Sequence, residues 1–204
     1  IYTGGTIGMK QDADDMTLKP FDFSQILEEV PEIGKFAVKI DSFSFEPPID
    51  SSDVEPSLWQ KLACLIKDKY DDYDGFIILH GTDTMAYSAS ALSFMLDGLT
   101  KPVIFTGSQL PIGVPRTDGR ENLISAVEIA SAKDENGNPA VPEVCVCFAS
   151  LLMRGNRSTK VNSEGFRAFQ SPNFPPLAEA GINIRYNNEY IRKPNDWLQN
   201  LSIN

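Results

Sequence analysis

Short apolar segments alternate with segments of helical spacing along most of the chain. A continuous apolar run bounded by turn residues predicts a strand buried on both faces, whereas apolar residues three and four positions apart predict a helix. Repeated alternation of such strands and helices is typical of a parallel sheet covered on both faces. We therefore predict an α/β fold with a mostly parallel sheet and helices on both faces.

The same pattern predicts where each element lies. A first strand ends at residue 3, and further strands cover residues 36–45, 75–80, 102–106, 144–148 and 182–186. Helices cover residues 23–30, 53–70, 86–96 and 120–132. Residues 154–181 are predicted to be largely loop.

The sharpest change of pattern lies where the apolar run 76–79 meets a His-Gly pair. Thr82, Asp83 and Thr84 follow and precede a helix, and ligands bind at the carboxyl ends of strands in open α/β sheets. Asp83 or Thr84 could merely cap that helix. Because one cap is enough and three candidates are present, we interpret Thr84 as the cap and Thr82 and Asp83 as site residues.

Three further strand-end loops carry side chains of similar kinds. Thr6 lies in the glycine-rich turn Gly4–Gly8, which matches neither of the common phosphate-binding glycine templates. The segment Asp50–Asp53, which contains Ser51 and Ser52, precedes a helix. We expect Ser52 or Asp53 to cap that helix, and its N-terminus also favours an anion such as a substrate carboxylate. Lys160 ends a donor-rich loop that could equally be a solvated basic loop. Such loops converge on one edge of a parallel sheet, and together they would supply hydroxyls, one carboxylate and one amine.

Composition and charge narrow the classes of function. A net charge of −10 argues against a nucleic-acid partner, and no apolar run approaches the length of a membrane span, about 20 residues. The only histidine is His80, whose place at a strand end favours packing or hydrogen bonding over a Ser-His-Asp triad. Two of the three cysteines lie in the run 144–148, which favours buried free thiols in a reducing compartment over a zinc site. We expect no metal and no cofactor.

Two ordered motifs and a lysine loop resemble a known family. Thr3-Gly-Gly-Thr-Ile-Gly8 and His80-Gly-Thr-Asp-Thr84 resemble the two signature motifs of the bacterial-type L-asparaginases. The segments Asp72–Tyr87, Pro102–Pro111 and Arg154–Lys160 are similar to the cytoplasmic, type I branch of that family.

The resemblance runs from the first residue to about residue 186 and implies both a fold and an activity. The fold is the Rossmann-like, three-layer N-terminal domain of the asparaginases, and the activity is hydrolysis of L-asparagine to L-aspartate and ammonia. The implied site residues are Thr6 as first nucleophile in a closing loop, Thr82 and Lys160 as the second threonine and the lysine, Asp83 as the catalytic aspartate that holds the substrate α-ammonium, and Ser51, with Ser52 beside it, on the α-carboxylate.

The family also implies parts that these residues do not supply, namely a smaller C-terminal domain and a subunit partner that completes the site. We expect residues 1–190 to form the N-terminal catalytic domain and residues 191–204 to begin the interdomain linker. We also expect a cytoplasmic homo-dimer or homo-tetramer. Many family members place a tyrosine in the flexible loop to assist the first threonine, and Met16 occupies the comparable position here.

A threonine that attacks an amide needs a base, and Lys160 is the obvious one near Thr82. Lysine is ordinarily protonated at neutral pH. Arg154 and Arg157 are candidates to favour loss of its proton, and Asp83 opposes that loss. We hypothesise that Lys160 becomes a base only when a substrate ammonium on Asp83 cancels the effect of that carboxylate.

Two alternatives remain open from the sequence. One is a related amidohydrolase, either a glutaminase-asparaginase or the amidase subunit of a tRNA-dependent amidotransferase; the acidic chain counts against a tRNA partner. The other is an amino-acid sensor of the same fold that binds aspartate or asparagine without turnover. A sensor could dispense with the two threonines, both of which are present.

Overall fold

The computed structural model describes residues 1–11, 18–20, 28–194 and 200–204. Its helices are α1 (Pro56–Asp68), α2 (Met85–Met95) and α3 (Gly119–Ser131), and short 3₁₀ turns cover Thr6–Gly8, Pro31–Lys35, Ser51–Asp53 and Gly155–Arg157. Its strands are β1 (Met9–Gln11), β2 (Leu18–Pro20), β3 (Phe76–Leu79), β4 (Leu96–Asp97), β5 (Val103–Thr106), β6 (Val144–Phe148), β7 (Leu151–Arg154), β8 (Thr159–Lys160), β9 (Phe169–Gln170), β10 (Ala178–Ala180), β11 (Ile184–Tyr186) and β12 (Ser202–Ile203).

The centre of the fold is a six-stranded mixed sheet with the order β11-β10-β7-β6-β5-β3. Strands β3, β5 and β6 are parallel, and the strands from β6 through β7 and β10 to β11 are antiparallel to their neighbours. Tyr2 continues the parallel half, because it forms parallel bridges with both Leu79 and Ser44. The turns that carry Thr6 and Thr82 therefore follow parallel segments of the sheet, whereas Lys160 lies on β8, which is outside this sheet.

Side chains alternate across this sheet and build a core on each face. In β5, Val103 and Phe105 join the cluster that includes the buried faces of α1 and α2, whereas Ile104 joins the cluster under α3. Strand β6 does the same, since Val146 lies in the first cluster and Cys147 in the second. These helix–sheet–helix layers confirm the predicted α/β fold with helices on both faces.

The predicted elements agree with the structure best where an apolar run is buried on both faces. Strands β3, β5, β6 and β11 and helices α1 to α3 lie within or close to their predicted ranges. Cys145 and Cys147 are buried free thiols, as expected, whereas Cys64 is exposed. The helix predicted over residues 23–30 falls mainly on residues 21–27, which lie outside the described residues.

Two predictions about strands were wrong. The strand expected over residues 36–45 is reduced to a single bridge at Ser44, because in the described part of the chain only Tyr2 pairs with this segment. The hairpin that joins β6 to β7 was not predicted. Its turn residues, Ala149 and Ser150, have φ values of 49° and 68°. Such turns usually contain glycine or asparagine, so the sequence lacks the common hairpin signal.

No helix among the described residues is long and apolar enough to cross a membrane.

Asn122 on α3 connects the ends of two central strands. Its Nδ2 donates to the Gly107 carbonyl at 2.9 Å, just after β5, and its Oδ1 accepts from the Ala149 amide at 3.0 Å, just after β6. Nδ2 also lies 3.3 Å from Asp118 Oδ2. Asn122 is buried, so all these polar groups depend on one another for hydrogen bonding.

We predict that Asn122→Asp destabilises the protein by about 1–3 kcal/mol, because a carboxylate oxygen would then face the Gly107 carbonyl and Asp118 without a proton to share. The free energy of unfolding in denaturant at neutral pH measures this effect. Asn136→Asp, the same change on an exposed turn, serves as the control and should shift the free energy by less than about 0.5 kcal/mol. Equal effects at the two positions would contradict the proposed role of Asn122.

Candidate active site

The first two site loops meet through backbone contact between glycines. Gly5 has φ of 94°, and a Cβ there would lie 2.5 Å from the Gly81 Cα. A Cβ on Gly81 would in turn collide with the Ser51 side chain. Glycine is therefore required at position 5, where both the φ of 94° and the approach to the Gly81 backbone exclude a side chain, whereas a side chain at position 81 would displace Ser51. As a result the turn after residue 3, the turn after β3 and the Ser51 segment lie against one another.

Thr6 begins the 3₁₀ turn that directly follows Gly5. Thr6 is half-buried, while the next two residues of the turn are buried and fix its backbone. The Met9 amide donates to the Thr6 carbonyl, which closes the turn. The structure therefore places Thr6 one residue from the contact with Gly81. Met16, the position compared with the loop tyrosine, lies outside the described residues.

Lys160, Thr82 and Asp83 form a contact cluster at the carboxyl end of β3. Lys160 Nζ donates to Thr82 Oγ1 at 2.8 Å and to Asp83 Oδ1 at 2.7 Å. The Lys160 side chain is 17% exposed and that of Asp83 is 60% exposed. The cluster thus has its ammonium inside and its carboxylate at the surface, where a small molecule could reach it.

A short hairpin holds Lys160 in this place. Lys160 on β8 pairs with Phe169 on β9, and Phe169 is buried against Phe148 with 4.9 Å between ring centroids. The hairpin is therefore anchored in the core, so Lys160 projects from a fixed backbone toward Thr82 rather than from a solvated loop.

The serine segment is placed differently from what the capping rules predicted. Ser51 is buried beside Gly81. Ser52 is exposed, and both its amide and its hydroxyl donate to Asp50 Oδ1 at 2.9 Å. Asp50 therefore caps this 3₁₀ turn. The prediction that Ser52 or Asp53 caps the following helix was wrong, because α1 begins only at Pro56 and its N-cap residue, Glu55, makes no side-chain capping hydrogen bond. The hydrogen bonds from Ser52 lower the pKa of Asp50.

Thr84 occupies the N-cap position of α2 but does not cap it with its side chain. Its hydroxyl donates instead to the Ser51 carbonyl at 2.6 Å. The expectation that this hydroxyl caps the helix was wrong, because the hydroxyl binds the nearby Ser51 carbonyl instead. The hydroxyl ties the serine segment to the turn that carries Thr82 and Asp83.

The two arginines of the lysine loop face away from Lys160. Arg154 forms a two-point ion pair with Glu143, at 2.5 Å and 3.0 Å, and its guanidinium lies over the Phe174 ring. Arg157 lies over the same ring. The expectation that these cations promote loss of the Lys160 proton therefore finds no support in the structure.

His80 is buried in a chain of hydrogen bonds behind Thr82. Its Nδ1 lies 2.8 Å from the Gly81 carbonyl, which can only accept, so Nδ1 carries the proton. Nε2 then accepts from the Ser88 hydroxyl at 3.0 Å, and Ser88 Oγ accepts from Trp59 Nε1 at 2.9 Å. Burial lowers the pKa of His80 to about 4, so the imidazole is neutral and orients the Gly81 carbonyl.

Gln109 is a residue of the site that the sequence analysis did not single out. Its Oε1 lies 3.2 Å from Thr82 Oγ1. The available signal was its place three residues beyond the predicted strand 102–106, at the same sheet edge as Thr82. Within the described residues there is no cluster of three or more His, Cys, Asp or Glu side chains that could hold a metal ion.

The chain is similar to known proteins over nearly all of its length. It matches the family model described as Asparaginase, N-terminal, over residues 1–192. It is 49% identical over 187 residues to L-asparaginase 1 of Escherichia coli strain K12, a match that covers 90% of this chain and 53% of that protein. The chain therefore spans about half the length of the curated relatives it matches.

Solved structures give the same result. The crystal structure of L-asparaginase I from Vibrio cholerae has a TM-score of 0.83 and 43% identity, and the match covers 100% of this chain and 59% of that one. The crystal structure of a probable cytoplasmic L-asparaginase from Campylobacter jejuni has a TM-score of 0.80 and 28% identity, with 93% and 57% covered.

We predict that His80 makes stability depend on pH between about 6.5 and 4. The pKa of His80 is lowered from 6.5 to about 4 in the folded protein. Its contribution is therefore complete above the unfolded-state pKa and is lost as pH falls toward the folded-state pKa. A shift of this size corresponds to roughly 3 kcal/mol. Denaturant unfolding of the intact protein at several pH values measures the slope.

The matched variant is His80→Asn, whose amide can still donate to the Gly81 carbonyl but does not titrate. Because the two proteins differ only at position 80, the difference in slope between wild type and variant belongs to His80. Parallel curves for the two proteins over this pH range would contradict the prediction.

Proposed function

The chain belongs to the asparaginase family, whose N-terminal family model it matches over residues 1–192, and on that premise we propose that it hydrolyses L-asparagine to L-aspartate and ammonia. The observation that carries the proposal is the contact of Lys160 with both Thr82 and Asp83, at 2.8 Å and 2.7 Å. This geometry brings together a nucleophilic hydroxyl, a possible base and a carboxylate that can bind an amino group, all at one accessible edge of the sheet.

The proposed substrate orientation follows from the charges. Asp83 takes the α-ammonium, because it is the exposed carboxylate of the cluster. Ser51 takes the α-carboxylate, with Ser52 beside it, and its position against Gly81 supports that role. The side-chain amide then lies between the two turns that carry Thr6 and Thr82.

The proposed chemistry has two halves. A threonine oxygen, first that of Thr6, attacks the amide carbon while its proton leaves to a base, which passes that proton to the departing nitrogen, and the C–N bond breaks with release of ammonia. Water then attacks the resulting threonyl ester, forms L-aspartate and returns the proton to the threonine. Backbone amides of the glycine turns are the candidate donors to the oxyanion.

Lys160 requires a change of state before it can act as a base toward Thr82, the second threonine. In the structure it donates hydrogen bonds to Thr82 and Asp83, which is the behaviour of an ammonium. A substrate ammonium that docks on Asp83 would compete for the same carboxylate and favour loss of the Lys160 proton. We propose that Lys160 acts on Thr82 only in the substrate complex.

We propose further that residues 1–190 are the catalytic domain and residues 191–204 the start of a linker to a smaller C-terminal domain. The coverage of about half of each relative supports this. A homo-dimer or homo-tetramer in the cytoplasm is proposed as the working form. Its support is an apolar stripe on α2, where Tyr87 is 68% and Phe94 67% exposed, beginning one helical turn after Asp83.

The activity is tested by ammonia release from the intact enzyme with L-asparagine and L-glutamine. We expect turnover of asparagine, and a decrease of kcat of at least about a hundredfold in Thr82→Val and in Lys160→Met. Lys67→Met, at an exposed lysine of α1, is the control and should retain full activity. An intact protein that binds aspartate but never turns over asparagine would be the sensor, and the enzyme proposal would be lost.

The pH profiles test the role of the substrate ammonium. The profile of kcat/KM reports groups of the free enzyme and that of kcat reports groups of the substrate complex. We expect the limb that rises with pH to lie at lower pH in kcat than in kcat/KM, and to disappear in Lys160→Met. Limbs at the same pH would mean that substrate binding does not promote loss of the Lys160 proton.

The assembly is tested by replacing both Tyr87 and Phe94 with serine. We expect the oligomer to dissociate in sedimentation experiments, because an exposed aromatic stripe is a typical interface core. Ile182→Ser, at a fully exposed isoleucine far along the chain, controls for loss of surface apolar area. An unchanged sedimentation coefficient of the double variant would exclude the α2 stripe as the interface.

A further inference from the structure

We propose that Gln109 is a positioning residue that fixes the Thr82 hydroxyl against Lys160 by connecting Thr82 to the turn that follows Lys160. Gln109 Oε1 lies 3.2 Å from Thr82 Oγ1, and its Nε2 donates to the Ser163 and Gly165 carbonyls at 3.0 Å and 3.1 Å. The role rests on the proposed function, since it concerns the geometry of the same nucleophile and base.

The orientation of the Gln109 amide follows from its partners. The carbonyls of Ser163 and Gly165 can only accept hydrogen bonds, so the amide nitrogen must face them. The amide oxygen therefore faces Thr82, whose hydroxyl must donate to it. Lys160 Nζ donates to the same hydroxyl oxygen from another direction. The Thr82 oxygen thus presents a lone pair to Lys160, while its proton points toward Gln109.

The backbone of Gln109 is held as firmly as its side chain. Its amide N–H lies 3.0 Å from each Asp118 carboxylate oxygen, and the Leu110 amide is 3.1 Å from Oδ1 of that carboxylate. Asp118 precedes α3 and also lies 3.3 Å from Nδ2 of the buried Asn122. The backbone of Gln109 is therefore fixed to α3. As a result, the side-chain amide of Gln109 can hold the Thr82 hydroxyl in a defined position.

The turn that Gln109 contacts is itself ordered by Asn162. The Asn162 side-chain oxygen accepts from the Glu164 amide at 2.8 Å and from the Gly165 amide at 2.9 Å. This turn begins two residues after Lys160. One side chain thus binds both the hydroxyl and the segment that carries the amine, and it sets the separation between them.

The expected consequence is a loss in kcat rather than in substrate affinity. Gln109 makes no contact that the proposed substrate orientation requires, whereas a small displacement of a nucleophile from its base can lower the rate by about a hundredfold. When Thr82 gives up its proton, the hydroxyl must turn from Gln109 toward Lys160. Gln109 therefore acts by placing the oxygen atom and takes no proton itself.

Two substitutions test the two ends of the side-chain amide, the oxygen that accepts from Thr82 and the nitrogen that donates to the turn. Gln109→Met has similar length and removes both the acceptor and the donors. Gln109→Glu keeps an acceptor for Thr82, loses the donors to the turn, and adds a negative charge close to Lys160. A merely structural role would alter stability in both variants, without a coupling between Gln109 and Thr82 in kcat.

The test uses ammonia release from L-asparagine by the intact enzyme. We expect Gln109→Met to lower kcat by about tenfold or more with KM within about threefold of wild type. We expect Gln109→Glu to move the rising limb of the kcat profile to higher pH, because the added carboxylate favours the ammonium form of Lys160. Gln60→Met, at an exposed glutamine of α1, is the matched control and should not differ from wild type.

A double-mutant cycle with Thr82→Val shows whether Gln109 acts through Thr82. With the hydroxyl absent, Gln109→Met should change the residual kcat by less than about twofold. Full additivity of the two changes, or a kcat of Gln109→Met within twofold of wild type, would overturn the inference. A wild-type enzyme without asparaginase activity would instead refute the proposed function, so the two failures are distinguishable.

Discussion

The site depends first on a contact in which no side chain takes part, the approach of Gly5 to Gly81. These residues end neighbouring parallel segments of the sheet, and a Cβ on Gly5 would lie only 2.5 Å from the Gly81 Cα. The residues that follow them, Thr6 and Thr82, are thereby brought to the same edge. This backbone contact therefore fixes the separation between the two turns that carry Thr6 and Thr82.

A second constraint is the need to satisfy buried polar groups near the site without adding charge. His80, Asn122 and Thr106 do so as neutral groups, by bonding the Gly81, Gly107 and Cys147 carbonyls respectively. A neutral support leaves the ion pair of Lys160 with Asp83 as the main electrostatic interaction beside Thr82. This matters for chemistry, since the proton of a lysine is sensitive to each neighbouring charge.

The sequence predicted the central parallel strands β3, β5 and β6 well and missed the antiparallel strands β7 and β10, for a physical reason. The strands at Phe76–Leu79 and Val103–Thr106 face the core on both sides. A short continuous apolar run in the sequence therefore identifies each of them. The β6–β7 hairpin turns at Ala149 and Ser150. Their φ values are positive, but alanine and serine give no indication of that conformation in the sequence. Local pattern cannot reveal a conformation that only the surrounding structure imposes.

The same distinction applies to the site. The strand-end rule predicted that Lys160 and Thr82 lie together, and their atoms are 2.8 Å apart although they are 78 positions apart in sequence. The rule gave no orientation for side chains. Residue type alone therefore made Thr84 the expected helix cap, and Arg154 and Arg157 were only candidates for cations near Lys160. The structure pairs Thr84 with Ser51 and Arg154 with Glu143, since each finds a closer partner.

Asp83 has two proposed partners that exclude each other, and this gives the site a means of selecting its substrate. In the structure Asp83 accepts from Lys160, and its 60% exposure leaves room for a second cation. A substrate with an α-ammonium competes for the carboxylate and so favours release of the Lys160 proton. A simple amide without that ammonium could reach Thr82, yet it would leave Lys160 protonated. On the proposed roles, binding of the amino group and activation of the nucleophile are therefore one event, and selectivity for an amino acid amide arises in kcat as well as in affinity.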